Sequence, residues 1–528
     1  MSDSLRWWQE GAIYQLLVPS FLDTNGDGYG DLQGITRRLE YLEWLGVRAI
    51  WLSPIYPSPL ADLGYDITDY QNIEPKFGSL HDFDEMVTEA HRRNLKIILD
   101  WVPNHTSDKH PWFLDSRSNR ESAKRNWYLW RDGKPDGSPP NNWISVFGGS
   151  VWQWDATTTQ FYLHTFLDKQ PDLNWRNPDV RAALFDTMRF WLERGVDGFR
   201  IDALDLLLKD DQFRDNPPNP EYEDGQGPDS RLLPHHTRDQ EGIHEIVATM
   251  RRVAEEFGDD KMLAGELYLP VPQATAYYGN DTRELHLPLT MKLAWTPWTV
   301  EDLSRSVQSY IQDVPPHGWP SWIFSTHDCL RLAMRLQGEL TRVAAMLLLT
   351  LPGTPVLYYG EEIGMRGVPI PAEQAIDPQG RRTGRNRDPE RTPMQWNPDL
   401  HAGFSSREPW LPIAEDFQTA NVSSQSGNPR SLLTLYRRLF EIRHDKSFFL
   451  NERPEFLNVH NSLVAYLRKT HDGDHLVVLN FSGEPQTLDR DPSFQARVCL
   501  STFLDKEGEK IHGLLDLRGH EGLILSCD

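Results

Sequence analysis

Cysteine and basic residues are both scarce in this sequence of 528 residues. The three cysteines lie far apart, at positions 329, 499 and 527, which excludes a disulfide framework and a cysteine-rich zinc site. Lys and Arg number 54 against 77 Asp and Glu, so the formal net charge is −23. A nucleic-acid partner is therefore not expected, because phosphate binding requires a basic surface.

Long apolar runs are absent as well. The longest, around residues 343–351, reaches about half the length of a membrane span. The opening residues MSDSLRWWQEGAIY show no basic segment followed by an apolar one, so no secretory signal is predicted. With 39% hydrophobic and 25% charged residues, the composition is typical of a globular protein. We expect a cytoplasmic protein with no membrane partner, either a monomer or a small homo-oligomer.

Aromatic residues, by contrast, are abundant, with 19 Trp, 17 Tyr and 22 Phe. Several tryptophans lie in polar, turn-rich segments, namely Trp112, Trp127, Trp130, Trp143, Trp152 and Trp154. Rings in such loops can stack on the CH faces of sugars, or they can pack together as a tryptophan-rich core. The sequence leaves both interpretations open.

Short apolar runs alternate with helical patterns over most of the chain. Strands are predicted at residues 12–18, 47–52, 95–102, 196–203, 262–267, 284–289, 319–325 and 356–359. Continuous apolar strands separated by helices indicate a parallel sheet that is covered on both faces. Eight such units close into a (β/α)8 TIM barrel, so an α/β fold is predicted.

Two connections are too long for simple loops and are predicted to be insertions. Residues 104–177, after the third strand, form an inserted subdomain, and residues 365–427 form a smaller insertion after the eighth strand. The barrel then comprises residues 1–103 and 178–445. Short strands without helices follow in residues 446–528, which predicts a C-terminal antiparallel β-sandwich.

Carboxylates follow three of the predicted strands. Asp202, Glu266 and Asp328 come at the C-terminal strand ends, where the active sites of barrels lie. Arg200 precedes Asp202 by two positions, so both side chains point the same way, and the arginine keeps that carboxylate ionised. A second carboxyl facing this charge has a raised pKa and stays protonated. Two carboxyls in opposite protonation states are what glycoside hydrolysis needs, although any one of them alone could be a helix cap.

Four segments resemble the signature regions of glycoside hydrolase family 13, the α-amylase family. They are DWVPNH at 100–105, GFRIDA at 198–203, GEL at 265–267 and HD at 327–328. QPDLNW at 170–175, GDLQGI at 30–35, GYDI at 64–67 and RTPMQW at 391–396 resemble the branch of oligo-1,6-glucosidases and α-glucosidases. The resemblance runs from about residue 8 to about residue 445, and it implies the same barrel with the same C-terminal β-module.

The resemblance also implies roles for single residues. Asp202 matches the nucleophile that forms a β-glucosyl ester, Glu266 the general acid and later base, and Asp328 a third carboxylate that binds sugar hydroxyls. Retention of configuration predicts about 5–5.5 Å between the carboxyls of the first two. The residues that match substrate-binding positions are Tyr65, Asp66, His105, Arg200, His327 and Arg387.

Two of these substrate-binding positions imply exo action. Asp66 and Arg387 match a pair that grips the glucose at the non-reducing end and closes the pocket behind it. Arg385 and Arg391 are close enough in sequence to be alternatives to Arg387. An acidic side chain paired with arginine also suits the recognition of neighbouring hydroxyls.

Oxygen-bearing side chains alternate in the loop after the first strand, DTNGDGYGD at 23–31. Such a pattern suits a hard divalent cation, although a metal-free loop with the same turns is the alternative. The resembling branch binds Ca²⁺ or Mg²⁺ in this loop. The implied ligands of this structural cation are the side chains of Asp23, Asn25, Asp27 and Asp31 and the carbonyl of Tyr29. No organic cofactor is expected.

Three residues depart from the family pattern. Ala203 follows the nucleophile where the α-1,6-preferring group has Val, so it favours α-1,4 linkages slightly, whereas QPDLNW favours α-1,6 linkages. Thr326 stands where Asn is usual, and Cys329, which follows Asp328, is interpreted as a small buried residue.

These observations together predict a retaining, exo-acting α-glucosidase that releases terminal α-linked glucose from short oligosaccharides. It would act through a covalent β-glucosyl-Asp202 intermediate, and it can also transfer glucose to another sugar. A trehalose synthase-type isomerase is the alternative, disfavoured by the hydrolase-like Leu267 and Tyr268 after Glu266. A non-catalytic binding subunit is a more distant alternative, because all three carboxylates are present.

Overall fold

The computed structural model describes residues 5–527, except 281–282, 337, 445–452, 458, 460–461 and 471–472. Along the chain the strands are β1 Ile13–Leu16, β2 Ala49–Leu52, β3 Lys96–Trp101, β4 Trp130–Arg131, β5 Trp152–Asp155, β6 Gln160–Leu163, β7 Gly198–Ile201, β8 Met262–Leu267, β9 Leu287–Thr290, β10 Ser321–Ile323, β11 Thr354–Tyr358, β12 Glu455–Phe456, β13 Leu463–Thr470, β14 Gly473–Asn480, β15 Gln486–Asp489, β16 Gln495–Ser501, β17 Lys510–His512, β18 Leu514–Leu517 and β19 Gly522–Cys527.

The α-helices surround and connect these strands. They are α1 Trp7–Glu10, α2 Leu32–Leu45, α3 Leu80–Arg92, α4 Pro111–Ser118, α5 Pro178–Glu193, α6 Ile243–Glu255, α7 Val271–Ala276, α8 Lys292–Trp295, α9 Val300–Asp313, α10 Leu332–Arg335, α11 Leu340–Thr350, α12 Pro378–Thr383, α13 Val422–Ser426 and α14 Leu432–His444. Several begin at a side-chain cap, for example Asp31, which accepts from the Gly34 N–H in α2.

Eight parallel strands form the predicted barrel, in the order β10-β11-β1-β2-β3-β7-β8-β9. The end strands β9 and β10 have no backbone ladder between them. Pro288 of β9 has no N–H to donate. Instead, the hydroxyl of Ser321 on β10 donates to the carbonyl oxygen of Pro288 across 2.9 Å. The barrel prediction is confirmed, and this side chain helps to close it.

Apolar side chains that alternate along the strands fill the N-terminal half of the barrel interior. They form one buried cluster with Trp7 and Trp8 of α1, composed of Ile13, Ala49, Trp51, Ile98, Met262, Ala264, Leu287, Leu289, Ile323 and Val356. Side chains two positions apart share a face of a strand. Gln15, Asp100 and Glu266 therefore also point inward, at the C-terminal end of the barrel.

The predicted subdomain between β3 and α5 is built on the antiparallel sheet β4-β6-β5. Four of its tryptophans are buried, namely Trp127, Trp130, Trp143 and Trp152. The ring of Trp130 stacks on that of Phe113 at 5.8 Å between centroids. Trp154 is 46% exposed on the hairpin of β5 and β6. The structure therefore favours the tryptophan-rich core over sugar-stacking rings for these four residues.

The C-terminal strands are antiparallel, as predicted, and follow the order β12-β13-β14-β19-β16-β17-β18-β15 in one hydrogen-bonded sheet. One face encloses a core that includes Leu476, Val498 and Leu525. The other face packs on the barrel, where the hydroxyls of Tyr466 and Thr350 lie 2.6 Å apart. The predicted boundary at 445/446 lies outside the described residues. Within the described part of the chain, no helix is both long and apolar enough to cross a bilayer.

Removing the hydroxyl that closes the barrel tests this account of the fold. We expect Ser321→Ala to lower the free energy of unfolding by about 1–2 kcal/mol, because it leaves a buried carbonyl oxygen without its strongest donor. Thermal unfolding measures the change, with Ser426→Ala on an exposed turn of α13 as the matched control. Equal melting temperatures for the two variants would contradict the closing role of Ser321.

Candidate active site

Arg200 stands at the centre of the C-terminal barrel end and is buried. Its Nη1 donates to Asp100 Oδ1 and to Asp202 Oδ1, each across 2.7 Å. Its Nη2 lies 2.5 Å from Glu266 Oε1. Three neighbouring strands, β3, β7 and β8, thus bring one carboxylate each to a single guanidinium. The predicted contact between Arg200 and Asp202 is present, and Glu266 lies beside them.

The charges at this centre are unbalanced, because one guanidinium faces three buried carboxylates. Burial raises the pKa of Asp202, and the charge of Glu266 raises it further against the opposing effect of Arg200. Burial likewise raises the pKa of Glu266, with the charge of Asp328 adding to it. The two carboxyls therefore interact strongly and titrate as a pair, and each holds its proton more tightly than a free carboxyl does. A raised pKa suits Glu266 as the predicted acid, whereas at Asp202 burial outweighs Arg200, which the sequence predicted to keep this carboxylate ionised.

Ala203 connects these two carboxyls through its backbone. Its dihedral angles, φ 48° and ψ 40°, lie in the left-handed region, which is strained for a residue with a Cβ. In this conformation its N–H donates to Glu266 Oε2 across 3.2 Å. The residue that the sequence singled out for linkage preference therefore also orients the acid.

Asp328, the third predicted carboxylate, is held by cations. Its Oδ1 accepts from Arg387 Nη1 at 3.0 Å and from Arg391 Nη2 at 2.9 Å. Burial alone would raise the pKa of Asp328, but His327 and the two arginines hold it well below its usual range. Asp328 is therefore an ionised carboxylate on the cavity wall.

His327 and Tyr65 link the two ends of the site. Gln15 Nε2 donates to His327 Nδ1 across 2.8 Å, so His327 Nε2 carries the proton and donates to the Tyr65 hydroxyl at 2.8 Å. That hydroxyl donates in turn to Asp100 Oδ2 across 2.9 Å. The two rings are parallel, with centroids 5.6 Å apart. Burial lowers the pKa of His327 to about 3, so its imidazole is neutral.

The structure corrects the predicted partner of Arg387, which is Asp62 and not Asp66. Arg387 Nη2 donates to Asp62 Oδ1 across 2.8 Å. The buried carboxylate of Asp66 instead accepts hydrogen bonds within its own loop, from Ser58 Oγ at 2.9 Å and from the N–H of Ala61 at 3.0 Å. The segment ADLGYD contains both acidic residues, so a second candidate was visible in the sequence. Arg387 itself, rather than Arg385, makes the contact with Asp62.

His105 joins the inserted subdomain to this end of the site. Its Nε2 lies 3.1 Å from the Tyr65 carbonyl oxygen and 3.1 Å from Gln170 Nε2. Gln170 also donates to Asp62 Oδ2 across 3.1 Å, which fixes the carboxylate that meets Arg387. The segment QPDLNW therefore supports the site through Gln170.

Asp377 is a residue of the site that the sequence prediction missed. Its Oδ1 accepts from Arg387 Nε at 3.1 Å and from Arg387 Nη2 at 2.7 Å. Its carboxylate also caps α12 by accepting from the N–H of Gln379 and of Gly380. Asp377 thereby fixes the position of Arg387 within the insertion after β11. The sequence did contain a signal for its local role, because the pair Asp377-Pro378 is typical of a helix N-terminus.

These residues line one cavity of about 740 Å³ at the C-terminal end of the barrel. The predicted residues on its wall are Tyr65, His105, Asp202, Glu266, His327, Asp328 and Arg387. Asp62, Phe147 and Phe166 complete the end that holds Arg387, whose guanidinium lies 5.1 Å from the centre of the Phe147 ring. Phenylalanines, and not the predicted tryptophans, are therefore the subdomain rings that meet the cavity.

Thr326 and Cys329, the other two residues that depart from the family pattern, lie in one turn. The N–H of Thr326 donates to the buried sulfur of Cys329 across 3.2 Å. The N–H of Asp328 donates to Thr326 Oγ1 across 3.1 Å. Burial raises the pKa of Cys329 to about 11, so its thiol is neutral. Both residues shape the turn that presents Asp328.

The loop of residues 23–31 is tied by its own backbone. Asp23 accepts from the N–H of Asn25 at 3.0 Å and Asp27 from that of Tyr29 at 2.8 Å, while Asp31 caps α2. Its oxygens suit Ca²⁺ or Mg²⁺ chemically, but here they accept hydrogen bonds. Among the described residues, no group of three or more acidic, His or Cys side chains is placed to hold a metal. The bound cation stays a prediction, and the reaction steps do not involve it.

Comparison with known proteins agrees with this geometry. Residues 15–452 match the family described as alpha amylase, catalytic domain. The chain belongs to the α-amylase family. A probable alpha-glucosidase of Rhizobium meliloti (strain 1021) is 39% identical to this family member over 95% of each chain. An oligo-1,6-glucosidase of Heyndrickxia coagulans is 36% identical over 94% of this chain and 96% of its own.

A solved structure extends the similarity to the whole fold. The crystal structure of an alpha-glucosyl transfer enzyme, XgtA, has a TM-score of 0.93 and 34% identity, and covers 99% of this chain and 100% of its own. The resemblance to the α-amylase family and its α-glucosidase branch is thus confirmed. The α-amylase-family enzyme described here is a glycoside hydrolase.

Asp377 offers a test of how this α-amylase-family enzyme holds Arg387. In Asp377→Asn, the helix cap remains but the charge that fixes the guanidinium is lost. We expect the KM for an aryl α-glucoside to rise about 5- to 30-fold, the effect of about 1–2 kcal/mol, with a smaller change in kcat. Steady-state kinetics measures KM and kcat separately.

The matched control is Asn421→Ala, which removes the side-chain cap of α13 far from the arginine. Its KM should equal that of the parent enzyme. A loss confined to kcat in Asp377→Asn, or an unchanged KM, would show that Asp377 does not position Arg387.

Proposed function

We propose that this enzyme is a retaining, exo-acting α-glucosidase of short oligosaccharides. The observation that carries the proposal is the pair Asp202 and Glu266 on one guanidinium, next to an end of the cavity that Arg387 closes. Both carboxyls contact Nη atoms of one guanidinium, which suits the short carboxyl separation of retaining enzymes and favours retention over inversion. The α-glucosidase names of the similar proteins support the same activity.

In the first step, a carboxylate oxygen of Asp202 attacks the anomeric carbon of the terminal glucose. The bond from that carbon to the leaving oxygen breaks, and Glu266 gives its proton to this oxygen. The aglycone departs as an alcohol, and glucose remains as an ester of Asp202. Loss of the charge on Asp202 leaves Arg200 facing Glu266, which then becomes a carboxylate that can act as a base.

In the second step, water attacks the same carbon while Glu266 accepts its proton, and the ester bond to Asp202 breaks. The released glucose keeps the α configuration. If a sugar hydroxyl takes the place of water, the same step forms a new glucoside. The similarity to an alpha-glucosyl transfer enzyme supports such transfer as a second reaction of the same ester.

Exo action follows from the closed end of the cavity. Arg387 and the carboxylates of Asp62 and Asp328 present a charged rim that suits the hydroxyls of a terminal glucose. Phe147 and Phe166 line the cavity beside this rim. We therefore place the non-reducing end at Arg387 and the leaving group towards the open mouth.

Linkage preference rests on Ala203, which lines the cavity beside Glu266. Its small side chain favours α-1,4-linked substrates slightly over α-1,6-linked ones. The cytoplasmic location and the structural cation stay predictions of the sequence.

The roles of the two carboxyls are tested by their amide variants. We expect Asp202→Asn to lose turnover of every α-glucoside. Glu266→Gln should lose about 100- to 10,000-fold on maltose, but much less in ester formation from 2,4-dinitrophenyl α-glucoside, whose leaving group needs no acid. Burst kinetics and product analysis measure both.

The parent enzyme provides the reference in that experiment. It should convert maltose to glucose, and trehalose as the main product would show an isomerase instead. Equal losses of Glu266→Gln on maltose and on the dinitrophenyl glucoside would contradict its role as the acid.

A further inference from the structure

One buried carboxylate organises the loop that presents Asp62. Asp66 is fully buried, and its Oδ1 accepts from the N–H of Asp62 at 3.0 Å, while its Oδ2 accepts from the N–H of Ala61 at 3.0 Å. The Ser58 hydroxyl donates to the same carboxylate at 2.9 Å and accepts in turn from the N–H of Leu60 at 2.9 Å. Three successive N–H groups of this loop are therefore bound to Asp66, directly or through Ser58.

The backbone on both sides of Asp62 is strained. Leu60 and Leu63 have φ angles of 60° and 52°, in the left-handed region that leucine rarely adopts, and Gly64 follows with a φ of 100°. Such conformations persist only where the surrounding contacts hold them. Because Asp62 lies between the two leucines, the hydrogen bonds to Asp66 hold its backbone in place against this strain.

The position of Asp62 decides the geometry at the closed end of the cavity. Its Oδ1 accepts from Arg387 Nη2 at 2.8 Å, and its Oδ2 accepts from Gln170 Nε2 at 3.1 Å. A shift of about 1 Å in the Asp62 backbone would break both contacts, because such hydrogen bonds span only about 2.7–3.2 Å. The cavity wall includes Asp62 but not Asp66, so any effect of Asp66 on a bound sugar passes through its loop.

The carboxylate of Asp66 has hydrogen-bond donors, but no cation, as partners among the described residues. Burial raises its pKa to about 6, with a smaller contribution from the charge of Asp62 and against the opposing effect of the hydrogen bonds. From neighbouring segments, Glu74 accepts from an N–H of the same loop at 3.1 Å, and Arg387 contacts the loop at Asp62. Burial lowers the pKa of His105, so its imidazole is neutral. Asp66 therefore gains a proton as the pH falls from 7 to 5, and one of its oxygens then becomes a donor that faces an N–H group.

We propose that Asp66 is a positioning residue for the terminal sugar, and that its ionised carboxylate holds Asp62 on Arg387. This inference rests on the proposed function, in which the hydroxyls of the terminal glucose bind at this rim. A proton on Asp66 replaces one acceptor of the loop by a donor, the strained backbone relaxes, and Asp62 leaves Arg387. Affinity for the terminal glucose therefore falls as the pH decreases through about 6, while the carboxyls on Arg200 keep their positions.

The experiment measures the inhibition constant of glucose, an uncharged ligand, against an aryl α-glucoside at pH 7 and at pH 5. The variants are Asp66→Asn, which mimics the protonated carboxyl, Asp62→Asn, and the double variant. The control is Asp69→Asn, which changes an exposed acid of the same segment that accepts from the Gln71 N–H at 2.9 Å. Steady-state kinetics gives KM and kcat in the same assays.

We expect Asp66→Asn to raise the inhibition constant about 3- to 10-fold at pH 7, the effect of one lost hydrogen bond, with kcat changed by less than about twofold. At pH 5 the parent enzyme should approach this variant, and Asp69→Asn should equal the parent at both pH values. The double variant should bind glucose no more weakly than Asp62→Asn does, because Asp66 acts through Asp62.

Additive losses of affinity in the double variant would overturn the inference, because Asp66 would then act independently of Asp62. So would a pH response of the parent enzyme that persists unchanged in Asp62→Asn, a comparison that holds even if Asp66→Asn does not fold. A parent enzyme that hydrolyses no α-glucoside would refute the proposed function instead.

Discussion

The site depends on one buried guanidinium inside the barrel. Arg200 is buried among the carboxylates of Asp100, Asp202 and Glu266, of which the last two line the cavity. A buried charge is tolerated only when it is paired, and removing one partner of such a pair costs about 3–5 kcal/mol. Three acidic groups share one cation here, so the surrounding negative charge exceeds the positive charge. Burial and this surplus negative charge raise the pKa of Asp202 and of Glu266 before any substrate binds.

At the other end of the cavity, a second group of cations keeps a buried carboxylate ionised. Arg387 and Arg391 both contact Asp328, so this carboxylate stays ionised although it is buried. The arginines come from the insertion after β11, whereas Asp62 comes from the loop after β2. The closed end of the cavity is therefore assembled from segments that are distant in sequence, and Asp377 anchors the arginine that joins them. The carboxylates on Arg200 come from the barrel strands and their ends, whereas the residues around Arg387 come from an insertion and a loop.

This division explains what could be predicted from the sequence. Arg200 and Glu266 lie on regular strands and Asp202 directly follows one, so a period of two decides the direction of their side chains. Asp66 was paired with Arg387 because both lie near family motifs, but an irregular loop has no period, and hydrogen bonds within that loop turned Asp66 away and Asp62 towards the arginine. Asp377 comes from a helix of the insertion whose packing no local pattern reports. The sequence left the role of the subdomain tryptophans open for a related reason, since their burial depends on tertiary packing and not on composition.

The central claim is that the carboxyls on Arg200 act by double displacement. Proton NMR of the sugar released in the first minutes from an aryl α-glucoside tests it most directly, because mutarotation is slow on that scale. The account predicts that α-glucose appears first and that the β anomer grows in only later. If β-glucose appeared first, the enzyme would be inverting, and neither the ester of Asp202 nor the assignment of Glu266 as acid and base could stand.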